Sequence, residues 1–196
     1  MTAQQRNHPK KGDCITVEPI RDLNSIKEIK EYLLLRSYRD YALFSVGVNT
    51  AFRASDLLKL KVGDVRGLQA GDSFMIKQKK RGKNIRITVN SVVCEVVKPL
   101  IAGKDDNELL FSSRLGCQLT VETLNRMVKS WCRYIGLKGN FGSHTLRKTW
   151  VVIQHEIFGM TIERISEAIG HSNVETTFRY ACIQKERVRD IYLNAI

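Results

Sequence analysis

Nothing in the 196 residues approaches the run of about eighteen apolar residues that a membrane-crossing helix needs, so no transmembrane helix is expected. The opening stretch, MTAQQRNHPKKGD, is positively charged but has no apolar segment behind it. No secretory signal is therefore expected, and the stretch reads as the start of a flexible basic arm, residues 1–22. Cysteine pairing is missing as well. Cys14, Cys94, Cys117, Cys132 and Cys182 are scattered, odd in number and free of any CxxC spacing. A disulfide framework and a zinc site are therefore not expected, and a reducing cytoplasm fits. Carboxylates are outnumbered, 20 Asp and Glu against 32 Lys and Arg, and they form no cluster suited to Mg²⁺, so neither metal nor cofactor is expected. Internal repeats and low-complexity linkers are absent too. So is a strongly basic amphipathic helix with aromatic anchors, which argues against a membrane surface as partner.

What is present is a globular composition with an excess of cations. Apolar residues make up 43% of the chain, and the formal net charge is +12. Residues 23–196 suffice for one well-buried domain. Lys and Arg recur along the whole chain rather than in a tail, as in a folded domain that faces a polyanion, most often nucleic acid.

Periodicity predicts a mainly α protein with one small antiparallel β-sheet. Ile26, Ile29, Leu33 and Leu34 have helical spacing, and YRDYALFSVGVNTAF reads as a second, more apolar, central helix. A short helix is expected over Ser55–Leu60, with an exit at Gly63. The period then becomes two. Phe74 and Ile76, then Ile85, Ile87 and Val89, alternate with polar residues about the turn KKRGK, which predicts a hairpin with a basic tip. A helix over Val92–Ile101 and a short strand or turn at ELLFS follow. Next comes a long amphipathic helix capped by Thr120 and ended by Gly136, with Val121, Leu124, Met127, Trp131 and Ile135 as its core stripe. The following helix is capped by Ser143 and has Leu146, Trp150, Ile153 and Ile157 on its apolar side. A helix from the Thr161 cap to Gly170 and two short ones, Val174–Ala181 and Ile183–Ile196, close the chain.

Four residues near the C-terminus combine into a chemistry. His144 and Arg147, at i and i+3, share a face in a helix's first turn, where free N–H groups and the dipole favour an anion. Gly170 is suited to reversing the chain after a helix, which leaves His171 at a turn. Tyr180 follows on a short helix. Taken singly, these residues also read as a solvated polar face, a turn histidine and a half-buried core tyrosine. Together, a histidine–arginine pair and a second histidine supply the cations that would favour a phenolate nucleophile.

The stretches TAFRASDLLKLKVGDV, QKKRGKNIRITV, SHTLRKTW and IGHSNVETTFRYA, in this order and spacing, resemble the tyrosine recombinase, or phage integrase, family from about Ser25 to Ala181. The resemblance implies that family's catalytic-domain fold and a site made of Arg53 with Asp56 as acidic support, Lys80, His144, Arg147, His171 and Tyr180. It implies site-specific DNA cleavage and rejoining through a 3′-phosphotyrosine link, without metal or ATP. Double-stranded DNA would be the partner, contacted by Lys79, Arg81 and Lys83 on the hairpin and by Arg126 and Lys129 on the long helix. Self-association into a tetramer on paired sites, with the last helix docked on a neighbour, and a cytoplasmic, nucleoid-associated location would follow. Either an excised catalytic domain or a naturally short member is expected. A type IB topoisomerase shares the chemistry without partner exchange. A helix-turn-helix regulator would explain TIERISEAIGHSNVETTFRYA, but it leaves Arg53, the hairpin and the His144–Arg147 pair without a role.

Overall fold

The computed structural model describes residues 17–77, 84–171 and 173–181. Its helices are α1 (Leu23–Leu34), α2 (Tyr38–Thr50), α3 (Ala54–Leu57), α4 (Val62–Val65), α5 (Ser91–Ile101), α6 (Val121–Tyr134), α7 (Ser143–Glu156), α8 (Ile162–Ile169) and α9 (Val174–Ala181). Strands β1 (Ser73–Lys77) and β2 (Asn84–Thr88) form one antiparallel pair in which Phe74 faces Ile87 and Ile76 faces Ile85. The mainly α architecture with a small hairpin is the one the periodicities predict. The hairpin tip and the helix expected over Ile183–Ile196 lie outside the described residues.

Side chains placed at the helix starts set many of the boundaries. Asp22 accepts the Ser25 amide, Asn90 that of Val93, Thr120 that of Thr123 and Thr161 that of Arg164. Each satisfies an amide that the helix cannot pair internally. Gly170 ends α8 in the left-handed region at φ 68°, where a Cβ would be strained.

Helix α2 runs through the middle, with α1, α5 and α7 packed on it. Its approach to α7 requires Gly47, because a Cβ there would stand 2.7 Å from Leu146 Cδ1. Ile29, Leu43, Phe44, Leu57, Leu110, Phe111, Leu124, Val128 and Leu146 are almost or wholly excluded from water in the main core. A second, smaller cluster of Ala51, Val151, Val152, Ile162, Ile165 and Ile169 sits between α7 and α8, with Trp150, Val174 and Tyr180 against it. Helix α7 therefore faces two cores at once.

Several expectations are corrected here. The short helix stops at Leu57, and Gly63 lies inside α4 rather than at an exit, since Asp64 folds back to accept the Lys61 amide at 2.8 Å. The buried stripe of α6 is Leu124, Val128, Trp131 and Cys132, while Val121 is exposed, because α7 covers a face rotated from the one read off the spacing. Residues 17–22, counted with the flexible arm, are held against the fold. The Glu18 amide donates to Asn140 O at 2.7 Å, and the Ile20 amide donates to Thr149 Oγ1 at 2.9 Å. Arg21 pairs with Glu156 at 2.6 Å, and Ile20 is buried. Backbone pairing and one apolar anchor outweigh a composition that resembles a tail.

Candidate active site

The first turn of α7 is fixed from three sides. Asn125 Oδ1, reaching over from α6, accepts the Ser143 amide at 3.0 Å. The Gly142 amide donates to Thr145 Oγ1 at 3.0 Å, and that hydroxyl donates to Glu18 O at 2.8 Å. The expected Ser143 cap is thus replaced by Gly142 at the cap position, with Asn125 and Thr145 satisfying the amides. Nor is α7 an ordinary amphipathic helix. Thr145, Arg147, Lys148 and Thr149 are buried along with Leu146, Val151, Val152 and Ile153, whereas Ile157, placed in the apolar stripe, is about half exposed. The neighbours α2, α6, α8 and α9 and residues 17–22 enclose it, so polarity on this helix does not mark a solvent face.

Arg147 is the most constrained of the expected site residues. It is 4% exposed; its Nη1 donates to Ala51 O, just past the end of α2, and its Nη2 donates to Ile169 O at the end of α8 at 2.7 Å. Carbonyls at helix C-termini lack internal partners and carry the negative end of the dipole, so a guanidinium between two of them is well placed. Ala51 takes a left-handed conformation, φ 53°, to present its carbonyl. Burial pushes the Arg147 guanidinium down to about 10, with Tyr180 and Asp56 opposing that shift and Arg53 adding to it; the group stays charged at neutral pH. Tyr180 lies close enough to Arg147 for its charge to act on the guanidinium. Arg53 stands at the cap position just before α3 and is half-buried; its Nη1 is buried and without a hydrogen-bond partner among the described residues. Asp56, a buried carboxylate one turn on, accepts from Ser55 Oγ at 3.3 Å.

Tyr180 faces inward from α9. Its hydroxyl lies 3.4 Å from His144 Nδ1. The ring meets that of His171 edge-on, with centroids 5.5 Å apart, and Lys148 Nζ stands 5.2 Å from its centroid. His171 follows the Gly170 turn, and its Nδ1 is 3.0 Å from Oγ1 of the fully buried Thr177. The structure thus brings His144, Arg147, His171 and Tyr180 together, with Arg53 and Asp56 close enough for their charges to act on Arg147. With Thr177 and Tyr180 turned toward α7 and the second cluster, α9 is not a helix free to present that side to a groove. Lys80 lies outside the described residues, as do Lys79, Arg81 and Lys83. The strand leading to them is anchored beside the site by Phe74 against Phe52, at 6.1 Å between ring centroids. Arg126 and Lys129 are exposed on α6, one and four residues past Asn125.

Three contributors escaped the sequence. Lys148 stands in plain view inside SHTLRKTW, but a lysine on a helix is ordinarily solvated. Thr177 carries no signal of its own beyond its spacing from His171. Asn125 caps a helix other than its own, which only the packing reveals.

Residues 19–187 match the Phage integrase family. A probable integrase/recombinase YoeC of Bacillus subtilis (strain 168) is 32% identical over 90% of this chain and 95% of its own length. The tyrosine recombinase XerC of Caldanaerobacter subterraneus subsp. tengcongensis is 26% identical over 78% of this chain and 43% of its own. The chain thus matches one relative nearly end to end and spans about half of the other. Among solved structures, the XerA recombinase has a TM-score of 0.72 at 22% identity, covering 90% of this chain and 65% of that one. XerH site-specific recombinase bound to palindromic difH substrate has a TM-score of 0.71 at 22% identity, covering 93% and 54%. The structural likeness speaks to the fold; the match across most of the sequence speaks to descent, and by it the chain belongs to the phage integrase family of tyrosine recombinases.

Proposed function

We propose that this chain cleaves and rejoins double-stranded DNA at specific sites, with Tyr180 as the nucleophile. The observation that carries the assignment is the placement of the Tyr180 hydroxyl, 3.4 Å from His144 Nδ1, with Arg147 close enough for the charges of the two groups to interact. The phenol oxygen attacks phosphorus in line with the 5′-oxygen. Its proton passes to His144, the tyrosyl–phosphorus bond forms, and the bond to the 5′-oxygen breaks. Arg53 and Arg147 hold the non-bridging oxygens, where charge gathers in the transition state, and His171 donates to one of them. Lys80 on the hairpin protonates the leaving 5′-oxygen. The 3′-phosphotyrosine ester conserves the energy of the broken bond, so a second 5′-hydroxyl can reverse the step without ATP.

Support for DNA as partner comes from the basic charge spread over the domain and from relatives solved on DNA, such as the XerH complex and a lambda integrase dimer bound to a COC′ core site. Lys79, Arg81, Lys83, Arg126 and Lys129 contact phosphates, so affinity falls steeply with salt. Strand exchange takes place in a tetramer on paired sites.

The test is a nicked substrate whose leaving strand diffuses away. Wild type should accumulate an SDS-stable adduct, with or without EDTA, and Tyr180→Phe should bind the same DNA and form none. An adduct on the same strand with the Phe variant overturns the assignment. A non-catalytic regulator gives no adduct with either protein. Strand exchange between two marked sites separates a recombinase from a topoisomerase, which would relax supercoils and leave the markers in place.

A further inference from the structure

Lys148 has no part in the chemistry set out above, yet it is only 5% exposed and follows Arg147 directly. A buried ammonium is costly unless its surroundings compensate the lost hydration. One compensating group is the Tyr180 ring, whose centroid lies 5.2 Å from Nζ, within the range of attraction to an aromatic face. That attraction strengthens if the ring gains a negative charge, because a phenolate adds Coulomb energy to the quadrupole. Among the described residues, the other charged or titratable groups near Tyr180 act elsewhere. His144, also on α7, addresses its hydroxyl, and Arg147, with both ends of its guanidinium on the Ala51 and Ile169 carbonyls, lies close enough for their charges to interact. His171, from the turn before α9, meets the ring edge-on, and Arg53 and Asp56 on α3 act on Arg147.

We propose that Lys148 is a positioning residue for the nucleophile: its buried ammonium holds the Tyr180 ring in orientation and favours its ionised form. This rests on the reading of Tyr180 as nucleophile. The contact on which the role rests is with the ring, 5.2 Å from Nζ to the centroid. The lysine acts through the ring, so its effect falls on the chemical step and not on DNA affinity.

The experiment is single-turnover cleavage of the nicked substrate at saturating protein, followed against pH, with DNA binding measured in parallel by fluorescence anisotropy. Lys148→Met should bind within about threefold of wild type. Its cleavage at pH 7 should be about tenfold slower, and the midpoint of its pH–rate profile should move up by about one pH unit. Lys148→Arg, which keeps the charge, should recover most of the rate. Placing 3-fluorotyrosine at position 180 lowers the phenol's own pKa and should restore the Met variant at pH 7. A slower Met variant whose profile keeps its midpoint, or one that fluorotyrosine fails to rescue, means that Lys148 only packs, and overturns the proposal. If Lys148→Met does not melt cooperatively, Nε-acetyl-lysine at 148 keeps the length and removes the charge, and the same two readouts decide. Should wild type form no Tyr180 adduct at all, the nucleophile assignment fails instead. The ¹⁹F titration of the position-180 ring without DNA still shows whether Lys148 shifts the phenol downward, and no difference between wild type and the acetylated protein overturns the inference.

Discussion

Arg147 projects from a helix enclosed by its neighbours and is tied at both guanidinium ends, whereas Tyr180 projects from eight residues of α9 resting on a cluster of six buried side chains. The two groups share a wall, since α7 gives Leu146 and Ile153 to the main core and Val151 and Val152 to the small one. The difference matches the two tasks proposed for them. Charge on a transition state is stabilised best by donors that are already in place, so the cation belongs where nothing has to move. A nucleophile must become an ester, carry DNA and be released, which a lightly buried element allows more readily.

The largest effect should come from breaking the rigid half. Arg147→Ala leaves the Ala51 and Ile169 carbonyls without their Arg147 donor and removes the proposed clamp on the phosphate. We expect cleavage to fall by about 10³ or more and stability by about 2–3 kcal/mol, read by single-turnover kinetics and urea unfolding. Arg147→Lys should regain part of the stability and little of the rate. An unchanged unfolding midpoint in the Ala variant would mean that the two carbonyl contacts hold nothing together.

A paired truncation compares the two cores directly. Leu124→Ala, in the main core, and Ile165→Ala, in the small one, each remove a fully or nearly buried side chain, at about 2–5 kcal/mol. Hydrogen exchange should show loss of protection throughout for Leu124→Ala. For Ile165→Ala the loss should concentrate in α8 and α9, together with slower adduct formation. Uniform loss in both would show that the halves unfold as one unit.

A smaller effect is expected at Thr177. Thr177→Val keeps the volume but removes the partner 3.0 Å from His171 Nδ1. Cleavage should fall about tenfold and stability by about 1 kcal/mol, and the Ser variant should restore both. If Val and Ser variants cleave alike, the hydroxyl does not orient the imidazole. The smallest change is Ala51→Gly. It relieves the left-handed backbone at φ 53° and should shift stability upward by no more than about 1 kcal/mol, with cleavage within twofold of wild type. A loss of stability there would place the methyl group's burial in the small cluster above its backbone strain.

Much of the architecture was legible because its signals are local. Thr120, Thr161 and Gly170 mark helix ends through bonds and dihedrals within a few residues, and the hairpin announces itself by a change of period. The candidate site was legible as a list, since His144, Arg147, His171 and Tyr180 occupy short motifs, and the fold places them side by side. Less readable was anything that depends on a neighbour distant in sequence. The buried stripe of α6 includes Val128 and Cys132 because α7 lies where it does, and residues 17–22 are ordered because the Thr149 hydroxyl and Asn140 carbonyl await them.

By itself the sequence determined the excess of positive charge, the order of helices and hairpin, and the motifs that mark the family, because each follows from residue type and short-range spacing. Only the tertiary structure decided that α7 is enclosed on nearly every side, that Arg147 closes the ends of two helices, and that Lys148 lies over the Tyr180 ring. The reason is that a hydrophobic pattern records how many faces an isolated helix would hide. A helix at the junction of two cores can bury its cations as well, provided that carbonyls and an aromatic face from other elements stand in for water.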